Sequence, residues 1–201
     1  QAKGIYNLKL TKEDPSAIVT NDLDFDREHR IYILTGANRG GKTTITQAVG
    51  IAFVMAHGGI YAPAEHFAFS PADCIFTHFP ADENKTMDLG RLGEESKRFR
   101  DIFLAAGPRS LFLLNESFST TSFEEGFYIA YDAVRALRDL GARTIYNTQA
   151  GRAEYRGKRG QPCLKSGRRG RGRQTFVPCE GRTAGRHVLC AGYRTEVWCD
   201  V

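Results

Sequence analysis

Apolar residues along the first three-quarters of the chain fall into two alternating kinds of run. Short continuous runs occupy residues 31–34 (IYIL), 73–79 (DCIFTHF), 110–114 (SLFLL) and 144–147 (TIYN), the length and density of buried strands. Longer segments with helical spacing lie between them, at residues 44–56 (TITQAVGIAFVMA), 94–106 (EESKRFRDIFLAA) and 123–140. In the second of these, Phe99, Ile102 and Phe103 mark the core face, and the leading acids suit a helix start. Gly58 and Gly59 close the first helix and Gly141 closes the third. Strands alternating with helices predict an α/β fold, a mostly parallel sheet flanked by helices with right-handed crossovers. Residues 6–10 alternate like an edge strand, 26–30 form a polar turn, 60–64 run extended, and 81–93 are polar and turn-rich.

The pattern stops near residue 149, and the charge changes with it. Residues 1–149 carry 16 Lys+Arg against 19 Asp+Glu, whereas residues 150–201 carry 12 against 4. The overall charge of +5 therefore describes neither part. Four of the five cysteines also fall in the second part. At 201 residues the chain can bury one α/β core and carry a tail. The opening Gln1 suggests a piece of something longer, and the lack of a transmembrane run or signal-like start makes a soluble cytoplasmic protein without membrane contact the expectation.

Chemistry concentrates where the first strand meets the first helix. Gly36-Ala37-Asn38-Arg39-Gly40-Gly41-Lys42-Thr43 fits G-x-x-x-x-G-K-[ST] and runs through Thr44 into the helix. Glycines let successive N–H groups turn inward onto phosphates, and the helix adds its positive end. Lys42 would reach the β- and γ-phosphates of ATP, and the Thr43 hydroxyl would ligate Mg²⁺. An empty glycine-rich turn is the plain alternative, but the strand before and the helix after argue for a nucleotide site. The run LFLLNE then ends as phosphate-loop strands end, with Glu116 placed to polarise water and Asn115 in the metal-supporting position. An amide there accepts a hydrogen bond but brings no charge. The plain readings are a turn amide for Asn115 and a solvated acid for Glu116.

Residues 5–148 resemble the ATPase domain of the MutS family. Its loop TGPNMGGKST corresponds to TGANRGGKTT here; IYAPAE, IFTHFPADEN and LLNESFSTTSFEEG follow in order against FVPA, IFTRIGA-type and LLDEIGRGTSTFDG segments. The resemblance implies a phosphate-loop NTPase of ABC type that works as a homodimer, each nucleotide closed over by the partner, with DNA contacted mainly through regions outside this chain. Gln47, one turn past the loop, reads as a supporting or core residue, and Ile18 stands where the family packs a residue on adenine. Three departures follow: Asn115 replaces Asp, the trans-acting signature is replaced around residues 88–96, and Gln149 stands where a His is expected. They point to a divergent branch in which hydrolysis is slowed or lost, or, if the gene is damaged, to a non-functional product.

The tail holds 10 Arg, 9 Gly and 4 Cys within residues 150–201. It lacks the aromatic interleaving of single-strand binders, and Cys163, Cys179, Cys190 and Cys199 have no CxxC pair for zinc. A disordered basic tail is the bland reading. A shifted reading frame accounts for more. Back-translated and read one nucleotide later, residues 186–200 can encode GTSYAQDIARKYGV and residues 173–179 GKRSFRV, in the order in which a MutS-family domain ends. Loss of frame near residue 148 predicts an unpaired sheet edge, and a tail with sparse secondary structure poorly packed on the rest.

Overall fold

A computed structural model of the chain describes residues 1–12, 15–36, 40–80, 90–148, 164–168, 173–178, 188–190 and 193–198, the last four as backbone pairing. Strands β1 (Ala2–Ile5), β2 (Thr20–Leu23), β3 (Ile31–Gly36), β4 (His66–Phe67), β5 (Ile75–His78), β6 (Leu111–Asn115) and β7 (Arg143–Thr148) precede β8 (Leu164–Arg168), β9 (Arg173–Pro178), β10 (Val188–Cys190) and β11 (Tyr193–Trp198). The helices are α1 (Lys42–His57), α2 (Gly90–Leu104) and α3 (Phe123–Leu140). The predicted α/β plan with a parallel sheet is present: β3, β7, β6 and β5 lie side by side and all run parallel.

The pleat of these strands divides the core in two. Tyr32, Leu34, Leu111, Leu113 and Ile145 face α1, packing on Ile45, Ala48, Val49, Ala52 and Phe53. Ile31, Ile33, Phe112, Leu114 and Tyr146 face the other way, onto Ala130, Ala133, Val134 and Leu137 of α3 and the Phe99, Ile102 and Phe103 face of α2. Strands apolar on every position are thus required by helices on both faces. The α1 contact is close enough that a Cβ on Gly50 would lie 2.7 Å from Leu113 Cδ1.

Two expectations are corrected. Residues 6–10 are not a strand: β1 ends at Ile5 and a 3₁₀ helix covers Leu8–Lys12. The Asn7 side chain accepts the Lys9 N–H at 3.0 Å while the Leu10 N–H bonds the Asn7 carbonyl at 3.1 Å, a local turn that outcompetes the ladder. Helix α2 starts four residues early, at Gly90 with φ +68°, so its acids are not in the first turn. In the tail, the described residues form four strands. Strand β11 pairs antiparallel with β3, and β9 pairs parallel with β2, in a second sheet ordered β4-β1-β2-β9-β8. Open strand edges offer unpaired N–H and C=O groups, and the β-forming stretches RQTFVP and YRTEVW satisfy them. The expected bare edge at β3 is therefore covered.

Candidate functional site

The carboxyl edge of the parallel sheet gathers the sequence-nominated residues. Strand β3 ends at Gly36; Ala37, Asn38 and Arg39 lie outside the described residues. Gly40 is buried, and Gly41 caps α1 at φ +79°, a left-handed conformation that glycine takes without strain. No Asp or Glu occupies the first turn of α1, so its N–H groups and dipole are not neutralised from within. Lys42, at the first helical position, is only 6% exposed. A lysine held this deep has an electrostatic partner by necessity. The Thr44 carbonyl accepts from Asn7 Nδ2 at 3.1 Å, and the same amide donates to Gln47 Oε1 at 3.2 Å.

Strand pairing brings the second half of the site to α1. Asn115 and Asn147 are direct partners in the β6–β7 register, and the pleat aims both at α1. Asn115 Oδ1 accepts from Thr43 Oγ1 at 2.9 Å and from Asn147 Nδ2 at 2.8 Å. Asn147 Oδ1 lies 3.0 Å from the hydroxyl of Thr46, one helical turn after Thr43. Because its hydrogen goes to Asn115, Thr43 Oγ1 keeps its lone pairs for a cation. Glu116 follows immediately, its backbone N–H on the Asn147 carbonyl at 2.9 Å and its φ at +50°. Phe118 is also left-handed, at φ +64°. Two non-glycine residues in that region within three positions mark a turn imposed by its surroundings.

Those surroundings include a buried polar network on the α2 and α3 face that sequence reading missed. Glu95 Oε1 accepts the Phe118 N–H at 2.7 Å, and Oε2 accepts the Thr120 hydroxyl at 3.1 Å. His78, fully buried at the end of β5, contacts the Glu95 carbonyl through Nε2 at 3.2 Å and Ser117 Oγ through Nδ1 at 2.7 Å. A carbonyl only accepts, so Nε2 carries the proton and Nδ1 takes the Ser117 hydroxyl. Burial first, then the Arg98 guanidinium, lower the His78 pKa to about 4 against the opposing Glu95 bond, keeping the ring neutral. Tyr146 donates its hydroxyl to the Ser117 carbonyl at 3.1 Å. Helix α3 closes over the same turn: a Cβ on Gly126 would sit 2.4 Å from the Phe118 carbonyl oxygen.

The remaining nominations stand apart. Ile18 is half-buried just before β2, in the other sheet. Residues 81–89, which hold the start of the replaced signature, and Gln149 lie outside the described residues, as do Cys163, Cys179 and Cys199. Among the described residues no His, Cys, Asp and Glu cluster could hold a metal, and no helix is long and apolar enough to cross a membrane. A cavity of about 280 Å³ with a half-polar lining that includes Phe53, Phe67, Phe69, Gln1 and Arg143 opens near the start of β7, at the opposite edge of the sheet.

Comparison with known proteins agrees with this architecture. Residues 32–153 match the family described as MutS domain V. Over 140 residues, 69% of this chain, it is 33% identical to the "DNA mismatch repair protein MutS" of Chlorobium phaeobacteroides, covering 16% of that protein. It is 31% identical over 140 residues, 70% of this chain, to the "MutS protein homolog 4" of Mus musculus, covering 14% of it. The chain thus spans less than a fifth of either relative. A domain match over more than half its length, joined to these identities, places the chain in the MutS family.

Proposed function

We propose that this chain is the ATP-binding, Mg²⁺-dependent ATPase domain of a MutS-like DNA repair protein, a phosphate-loop NTPase of ABC type. The observation that carries it is the junction at the sheet's carboxyl edge. Gly41 turns left-handed, Lys42 is buried at a helix start whose first turn holds no acidic residue, and the Thr43 hydroxyl bonds Asn115 at the end of β6. On this reading Gly36, Ala37, Asn38, Arg39, Gly40, Gly41 and Thr44 supply the phosphate cradle, and Lys42 meets the β- and γ-phosphates. Glu116 orients the attacking water, and Ile18 packs on adenine. The donor set fits a magnesium ion: Thr43 Oγ1 as ligand and Asn115 Oδ1 as acceptor for a metal-bound water are both hard oxygens. When bound, Mg²⁺ offsets charge developing on the phosphate oxygens. Two such chains would form a cytoplasmic homodimer whose DNA contacts lie mainly in other regions.

One observation favours a second reading, nucleotide binding without hydrolysis: the side chain beside Thr43 is a neutral amide held by another neutral amide. Binding of a fluorescent ATP analogue and phosphate release, measured together, separate the two. Lys42→Ala is expected to abolish binding, and a variant that binds as before sinks the nucleotide site. Asn115→Asp is expected to raise turnover; binding without turnover in both the parent and this variant selects the second reading. We also propose that residues 150–201 come from a shifted frame. An intact frame through residue 201 at the sequenced locus would sink that proposal, and a restored-frame chain assayed beside this one measures what the tail replaced.

A further inference from the structure

We propose that Asn147 is the positioning residue that lets Asn115 serve a cation site, an inference that rests on the nucleotide reading above. A primary amide has one accepting end and one donating end. Turned the wrong way, Asn115 would present an NH₂ group to Thr43 and to any cation beside it, and the two would repel. Asn147 prevents this. It is fully buried, directly opposite Asn115 in the ladder, and its Nδ2 donates to Asn115 Oδ1 at 2.8 Å. Thr46, also fully buried, places its hydroxyl 3.0 Å from Asn147 Oδ1 and 3.1 Å from the Lys42 carbonyl, and it supports this sense of the Asn147 amide when its one proton goes to Oδ1. The bond from Asn147 to Asn115 thus presents an oxygen to Thr43 Oγ1 at 2.9 Å.

A carboxylate has no wrong end, since either oxygen accepts. Asn147 is therefore needed because residue 115 is an amide, and it becomes dispensable when residue 115 is Asp. That background dependence separates orientation from simple packing, which would cost the same in both.

The experiment titrates Mg²⁺ into the full 201-residue chain with a fluorescent ATP analogue and reads the Mg²⁺ midpoint, with binding in EDTA as reference. In the parent, Asn147→Ala is expected to raise the midpoint about tenfold, the scale of losing a group that orients a metal ligand, and to leave EDTA binding unchanged. In the Asn115→Asp background the same substitution is expected to shift it less than about twofold, since no orientation is left to lose. Asn147→Asp, which keeps the shape and only accepts, is expected to turn the Asn115 amide around and weaken Mg²⁺ despite its negative charge. If truncation prevents folding, Asn147→Leu keeps the volume without the donor and carries the same comparison. Equal shifts in both backgrounds, no shift in the parent, or tighter Mg²⁺ binding by Asn147→Asp overturns the proposal alone. A parent chain that binds no ATP analogue, or binds it without regard to Mg²⁺, overturns the nucleotide reading as well.

Discussion

Glu95→Ala is expected to cost about 3 kcal/mol of stability. The Glu95 carboxylate is 8% exposed and accepts from the Phe118 N–H at 2.7 Å and the Thr120 hydroxyl at 3.1 Å. Truncation leaves the Phe118 N–H buried with no acceptor, and losing a hydrogen bond to a charged partner costs about 1.5–3 kcal/mol. The half-exposed Thr120 bond adds about 0.5–1 kcal/mol. The two left-handed residues, Glu116 and Phe118, are strained whenever the turn is held, and letting it relax returns part of that loss. Urea unfolding of the parent and the variant measures the difference, which for a chain of this size corresponds to a fall of about 6–12 °C in Tm. Glu95→Gln is the control. Its carbonyl can still accept from Phe118 while its NH₂ donates to the Thr120 oxygen, so about 1 kcal/mol or less should be lost. A loss under about 1 kcal/mol for Ala, or an equal loss for Gln, would refute the view that these two bonds hold the turn.

His78 makes stability depend on acid. Its folded pKa of about 4 lies below the ordinary 6.5, so the unfolded chain takes up the proton first. Stability is then full above pH 6.5 and falls as the pH drops toward 4, by on the order of 3 kcal/mol in all. His78→Gln should flatten the urea midpoint across that window, and parallel curves for parent and variant would dismiss the assignment. Gly126→Ala should destabilise by about 1–3 kcal/mol, because its Cβ would meet the Phe118 backbone oxygen at 2.4 Å. Gly50→Ala, whose Cβ meets only a side-chain methyl of Leu113 at 2.7 Å rather than backbone, should cost less in the same denaturation assay, and an equal cost would contradict the distinction.

The parallel sheet was legible because its central strands β3 and β6 carry continuous apolar runs that helices bury on both faces, and α3 was legible to the residue. What one sequence hides is register. Asn147 reads as a strand residue until the ladder sets it opposite Asn115, 32 positions away in the chain. Glu95 looked like a first-turn acid because the charge pattern locates a helix start only within a turn; the true start at Gly90 rotates it into the core. The Asn7 turn was hidden because the alternation in YNLKL reads as a strand, while the bond from the Lys9 N–H to the Asn7 side chain that turns the backbone leaves no mark in the hydrophobic pattern. In the tail, composition argued against structure, yet open edges of β2 and β3 recruit any stretch with enough β-forming residues. Backbone demand, unlike side-chain packing, leaves almost no mark on sequence.

The turn after β6 is held from both faces of the sheet, and the pleat explains why two separate systems are needed. Asn115 and Asn147 point to α1, so their bonds fix the end of β6 relative to the first turns of that helix. Ser117 and Phe118 come after the chain has left the sheet and are held from the opposite face, by His78 and Glu95. Glu116 sits between the two systems with its own N–H on Asn147. On the proposed reading, its carboxylate is aimed by α1 through one system and by α2 through the other. On the same reading, a neutral Asn115 would weaken the cation side of that arrangement and leave the water-orienting side intact. That is the pattern expected of a domain in which metal affinity is lowered before the geometry of hydrolysis is lost.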